Sequence, residues 1–213
     1  YATTNINTTA VGLTLQTAGG NMLFNANVTG AGGSIDLDRL TVLSNGGNIT
    51  LGGGLNGTDY AVGTATSTMP TYVGQSKYKG VFLQAATLNA GGGNIAIKGK
   101  GWQGANWNDL VTDYYAIGVD VVGYTAGSSI STTGNGTITI DGVGGVNYDN
   151  TTQSVGINLY SGTTANSLST VNGALTLLGT NGSGTSRLSA GIAVDGGSVN
   201  ISSTTGTIGL TAD

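Results

Sequence analysis

The chain has 213 residues, of which 40 are glycine, one is proline and none is cysteine or histidine. Six Lys or Arg stand against ten acidic residues, for a net charge of -4; this excludes the basic stripe of a nucleic-acid binder, and the missing Cys and His exclude disulfides, thiolate metal sites and a Ser-His-Asp triad. No Gly-X-Y period marks collagen, the aliphatic content is too high for a disordered chain, no apolar run approaches the length of a membrane-spanning helix, and Tyr1 starts no signal peptide.

From the N-terminus one phrase keeps returning: glycine, a small polar residue, an aliphatic, any residue, an aliphatic. Gly20-Asn-Met22-Leu-Phe24, Gly33-Ser-Ile35-Asp-Leu37 and Gly47-Asn-Ile49-Thr-Leu51 are the first copies. Thr64 to Lys79 breaks the pattern, contains the single proline, and reads as a loop insertion. A second phrase then begins with Gly80-Val-Phe-Leu83 and returns as Gly118-Val-Asp-Val121, Gly156-Ile-Asn-Leu159 and Gly191-Ile-Ala-Val194. A third, shorter apolar element follows each of these: Ala86-Thr-Leu88, Ser129-Ile130, Ser167-Leu168 and Ser198-Val-Asn-Ile201. The first phrase resumes at Gly93-Asn-Ile95-Ala-Ile97, Gly136-Thr-Ile138-Thr-Ile140, Gly173-Ala-Leu175-Thr-Leu177 and Gly206-Thr-Ile208-Gly-Leu210. Gly101 to Tyr115 is a second insertion and holds both tryptophans.

Aliphatics at i and i+2 share one face of a strand. A two-residue inward face is too short to bury a core alone, but identical short strands stacked on each other can. The expected fold is therefore all-β: a right-handed parallel β-helix, one solenoid domain over 1–213 or a segment of a longer one. At roughly 20 residues per coil it would have about ten coils. Ile95, Ile97, Ile138, Ile140, Leu175, Leu177, Ile208 and Leu210 are expected to point inward in two ladders. An antiparallel sandwich or propeller is the structural rival. Both ends read as uncapped strands, which favours continuation of the stack.

The segments GGNITLGGG, LNAGGGNIAIKGKG, STTGNGTITIDGVGG and VNGALTLLGTNGSG resemble the repeat region of filamentous-haemagglutinin-like large exoproteins, the two-partner-secretion adhesins of bacteria. The resemblance spans roughly residues 11 to 213. It implies the right-handed β-helix, an extracellular or cell-surface rod, and association into a filament. It supplies no catalytic residues.

Candidate site residues lie mainly in the second insertion. Trp102, Trp107, Tyr114 and Tyr115 form either a platform for surface carbohydrate or a lateral protein contact. Asp109 and Asp113, with Asn106 and Asn108, are an oxygen-rich set that calcium would accept, although no 12-residue calcium loop fits them; turn hydrogen bonding is the alternative role. No other cofactor is expected. Asp36 and Asp38 project from the same strand face, read as solvated, and offer a carboxylate pair for acid–base work on sugars. Lys77, Lys79, Lys98 and Lys100 form the basic cluster, suited to a polyanion or to keeping an edge soluble. Asn-X-Ser/Thr occurs at several positions, with Asn56 and Asn150 the best placed for glycosylation. The chain reads as a non-catalytic structural or adhesive module that stacks end to end; a polysaccharide-binding or polysaccharide-degrading β-helix is the alternative.

Overall fold

The computed structural model describes residues 5–8, 12–64, 78–103, 115–146, 153–184 and 188–213. Within them the chain is all-β and visits three sheets in strict rotation. The first rung is β1 (Ile6–Thr8), β2 (Thr14–Gln16) and β3 (Met22–Ala26); the second is β4 (Ile35–Asp38), β5 (Thr41–Leu43) and β6 (Ile49–Gly53). After a short strand, β7 (Ala61–Val62), the third rung is β8 (Val81–Gln84), β9 (Thr87–Asn89) and β10 (Ile95–Lys100). The fourth is β11 (Val119–Gly123), β12 (Ser129–Ser131) and β13 (Ile138–Val143). The fifth is β14 (Gln153–Ser161), β15 (Asn166–Thr170) and β16 (Leu175–Thr180), and the sixth is β17 (Leu188–Gly196), β18 (Val199–Ser203) and β19 (Ile208–Ala212).

Corresponding strands pair in parallel, β1-β4-β8-β11-β14-β17 in the first sheet and likewise in the other two. This is a β-solenoid, and the parallel ladders set the antiparallel rival aside. The described residues form six rungs rather than the expected ten. One rung takes the chain from Ile6 to Ile35 and the next from Ile35 to Val81, well above 20 residues, because each needs three strands and three corners.

The register stacks like on like. In the third sheet Met22, Ile49, Ile95, Ile138, Leu175 and Ile208 form one inner column, and Phe24, Leu51, Ile97, Ile140, Leu177 and Leu210 the next. The second sheet contributes one column, Leu15, Val42, Leu88, Ile130, Leu168 and Ile201. The first sheet contributes Ile35, Val81, Val119 and Ile157, and beside them Leu37, Leu83, Val121 and Leu159. All of these first-sheet residues are 0% exposed. Burying each such side chain contributes about 1.5–3 kcal/mol. Ile208 and Leu210 continue their columns but are 45% and 59% exposed, so the expectation that they are buried does not hold. They lie in the sixth rung, where no described strand covers them.

The glycines of the first phrase explain its form. A Cβ on Gly47, Gly93, Gly136, Gly173 or Gly206 would come closer than 3.0 Å to the carbonyl oxygen of Gly20, Gly47, Gly93, Gly136 or Gly173, its counterpart one rung earlier. Those carbonyls also accept side-chain hydrogen bonds: Thr17 Oγ1 donates to Gly20 at 2.7 Å, Thr132 Oγ1 to Gly136 at 2.7 Å and Thr170 Oγ1 to Gly173 at 2.8 Å. The small polar residue that follows builds a ladder of its own. Asn21 Oδ1 accepts from the Asn48 amide at 2.8 Å, Asn48 Oδ1 from the Asn94 amide at 2.9 Å, and Asn94 Oδ1 from the Thr137 amide at 2.9 Å. At this corner side chains satisfy backbone groups, buried ones at Gly136 and Gly173 and exposed ones along the asparagine ladder.

A different set of glycines brings the third and first sheets together. A Cβ on Gly99, Gly142 or Gly179 would collide with the carbonyl of Gly118, Gly156 or Gly191 respectively. At this corner the connection to the next rung is longer than the other two connections of the same rung, in each of the first five rungs. The segments 64–79 and 101–115, expected as insertions, fall within two of these connections. Their interiors lie largely outside the described residues, but their roots are ordered into the stack. The Trp102 amide donates to the Tyr78 carbonyl at 2.8 Å, and the Val146 amide donates to the Trp102 carbonyl at 3.0 Å. No helix of the described residues is long and apolar enough to cross a membrane.

Candidate functional site

The outer face of the first sheet beside this corner differs from an ordinary solvated face. Strand alternation points Asp36, Phe82, Asp120 and Asn158 outward in one register column. Asp36 is 1%, Phe82 5% and Asp120 2% exposed. The expected solvated face for Asp36 and Asp38 is therefore corrected: both are buried. Asp38 holds Arg39 through its Oδ2, with Nη2 at 2.7 Å and Nε at 3.0 Å, so the two carboxylates do not present an open pair. Alternation along a strand tells which face a residue takes, not whether other chain covers that face.

Chain returning from the corner covers part of it. Lys79 sits at the end of the first insertion and is 2% exposed, with its ammonium paired to Asp120 Oδ2. The sequence placed it on a solvated edge with Lys77, Lys98 and Lys100; the structure buries it. Asp120 Oδ1 accepts from Asn158 Nδ2 at 2.7 Å, so both carboxylate oxygens are engaged. The ammonium also lies 4.4 Å from the Phe82 ring centroid and 6.0 Å from that of Tyr115. A buried ion pair persists only where hydrogen bonds and packing offset desolvation, and here Asn158 and two rings supply that.

Above this pair is a cleft of about 190 Å³. Lys79, Asp120 and Asn158 form its floor, and Tyr115, Tyr124, Tyr160, Gln153 and Asp195 its walls and rim. Tyr124 and Tyr160 meet at 5.2 Å between ring centroids, tilted by 52°. Tyr160 follows Asn158 by two on β14, so register sends both outward. Asp195 is its partner one rung on and is exposed. Tyr115 reaches the cleft because it bridges in parallel to Gln153.

Of the sequence candidates, Tyr115 is thus placed in a built cleft. Trp102 is elsewhere, half-buried at the root of the insertion with its ring 5.2 Å from that of Tyr78. Trp107, Asp109, Asp113, Tyr114, Asn106, Asn108, Asn150 and Lys77 lie outside the described residues. Asn56 is exposed on the turn after β6. Asn48 and Asn27 are engaged in the structure, Asn48 in the asparagine ladder and Asn27 through Nδ2 to the Tyr60 carbonyl at 3.3 Å. Sequence reading missed Asp120, Asn158, Tyr124, Tyr160 and Asp195, which are scattered over 75 positions and meet only through the stack. The one signal is that Asp120 and Asn158 share the outward position of the repeating Gly-aliphatic phrase; Tyr124, Tyr160 and Asp195 lie just after it.

A second cluster lies on the outer face of the third sheet. The Tyr60 hydroxyl donates to Asp141, 3.0 Å from Oδ1 and 2.9 Å from Oδ2. Lys98 Nζ is 4.0 Å from Asp141 Oδ2 and 5.7 Å from the Tyr60 ring centroid, and donates to the Thr58 carbonyl at 3.1 Å. Burial, then the hydrogen bond to Asp141, then its negative charge push the Tyr60 phenol up to about 12. Among the described residues no group of three or more His, Cys, Asp or Glu is gathered to hold a metal ion. Comparison with protein-family models, curated proteins and solved structures returns no match.

Proposed function

We propose that this chain is a non-catalytic structural or adhesive module, a right-handed parallel β-helix forming part of an extracellular bacterial fibre or large surface adhesin. In this reading the stacked ladders supply stiffness and the long connections at one corner supply recognition. The observation that carries it is the contrast between the two: a rod uniform in register from rung to rung, with its long connections and its built polar cleft at a single corner. Solenoids commonly place variable insertions on one face, often the binding face.

End-to-end stacking is the second part of this proposal. Leu159, Leu175 and Leu177 are fully buried, whereas their register partners in the sixth rung, Val194, Ile208 and Leu210, are 60%, 45% and 59% exposed. At the other end a hollow of about 550 Å³ is lined by Leu15, Met22 and Phe24 of the first rung. In this proposal a second copy stacked on such a surface covers its apolar side chains and pairs its strand edges.

The test is incubation with a panel of surface polysaccharides, following both retention on the immobilised polymer and release of new reducing or unsaturated ends. Retention without turnover is the expected result. Turnover would overturn the non-catalytic reading in favour of a polysaccharide-degrading β-helix. Electron micrographs over a concentration series address the stacking: rods that lengthen with concentration support end-to-end association, and uniform short particles at every concentration count against it.

A further inference from the structure

We propose that the cleft over the Lys79–Asp120 pair is a subsite for one uncharged pyranose ring; this rests on the adhesive reading above and names its ligand class. Three properties of the cleft lead there. Its volume, about 190 Å³, is below the roughly 300–1,000 Å³ of pockets for drug-sized ligands, so it holds a single ring-sized unit. Its wall carries the tilted Tyr124–Tyr160 pair, whose faces suit the C–H surface of a sugar. Its rim and floor carry Gln153, Asn158 and Asp195, amide and carboxylate groups that match neighbouring hydroxyls, which both donate and accept.

Charge narrows the class. Among the described residues lining the cleft Lys79 is the cation, and it is already committed to Asp120 beneath the surface. Among the described lining residues the exposed charge is the Asp195 carboxylate. A uronate or sulfated sugar would meet Asp195 with no uncommitted cation among the described residues of the cleft, and like charges at close range cost affinity. Asn158 is fixed by donating Nδ2 to Asp120, which leaves its Oδ1 as an acceptor of defined direction. The buried ion pair is thus the support that orients the cleft floor, not the group that binds an anion.

The test uses the 213-residue chain, with binding of methyl α-glucopyranoside, methyl α-galactopyranoside and methyl α-mannopyranoside read by saturation-transfer NMR and calorimetry. Methyl glucuronide and choline serve as charged comparisons. At least one neutral glycoside binds in the millimolar range, with saturation transferred from tyrosine ring protons, while glucuronide does not bind. Tyr160→Ala weakens the neutral ligand about tenfold or more. Asp195→Asn, which removes the exposed rim charge, admits glucuronide. Failure of all three neutral glycosides, preference for glucuronide or choline, or undiminished binding by Tyr160→Ala with unchanged circular dichroism would each overturn the proposal. Glycoside binding by a chain that neither adheres to polysaccharide nor forms rods supports the subsite while removing the adhesive reading. Adhesion with no glycoside binding removes the subsite alone.

Discussion

Gly136 packs against the carbonyl of Gly93, its counterpart one rung earlier, so closely that a Cβ on Gly136 would lie inside 3.0 Å of that oxygen. The same relation joins Gly47 to Gly20, Gly93 to Gly47, Gly173 to Gly136 and Gly206 to Gly173. The glycine of the repeat is therefore there for backbone approach. Gly136→Ala is expected to destabilise the protein by about 1–3 kcal/mol, the range for forcing extra volume into a packed site. Gly92→Ala, where nothing lies within 4 Å, is expected to change stability little. Urea denaturation of the two variants side by side checks this.

The inner columns make a graded prediction. Ile138→Ala removes a 0% exposed side chain in the fourth rung and should cost about 2–5 kcal/mol. Ile208→Ala, in the same column but 45% exposed, should cost less than half as much. Equal losses at the two positions would contradict the stacking order.

The Lys79–Asp120 pair should behave as a buried charge pair. Lys79→Met alone strands a buried carboxylate and is expected to cost about 3–5 kcal/mol. Lys79→Met combined with Asp120→Leu should recover much of that loss, since neither charge is then left without the other. A double-mutant cycle measures the coupling; additive losses would show that the pair is not coupled.

Tyr60 sets an alkaline limit. Its phenol is raised from 10.0 to about 12 in the folded chain, so between those values the folded state binds more protons than the unfolded state and stability falls as pH rises. The contribution is fully present below about pH 10 and lost on passing about pH 12. Melting temperatures at stepped alkaline pH should fall more steeply in the native chain than in Tyr60→Phe across this window. Parallel curves would contradict the assignment.

Much of the architecture was legible because inward aliphatics recur at i and i+2, as in Ile95 and Ile97, and that spacing reports a strand face directly. Rung length was not. The second sheet's element was visible in the sequence, but with one inner aliphatic per strand, Ile130 in β12 or Leu88 in β9, it did not show that three strands and three corners make up one rung. The glycines were visible, but their reason, a carbonyl one rung away, exists only after stacking. The cleft was least legible: Asp120 looks like an ordinary outward polar residue until Lys79 covers it, and Asn158 and Asp195 join it only through the stack. Lys79 read as a surface lysine because its partner is 41 positions away.

Register is the claim on which the rod, its corner and its cleft all depend, and the cysteine-free chain allows a direct measurement of it. Nitroxide labels on cysteines introduced in pairs at the outward, half-buried positions Ala96, Thr139 and Thr176 report distances across one rung and two. Parallel in-register stacking predicts backbone separations of about 4.8 Å for Ala96 with Thr139 and for Thr139 with Thr176, and about twice that for Ala96 with Thr176. Dipolar broadening should therefore be strong and similar for the two adjacent pairs and much weaker for the third. Weak coupling in either adjacent pair, or a third pair coupled as strongly as the first two, would contradict the account.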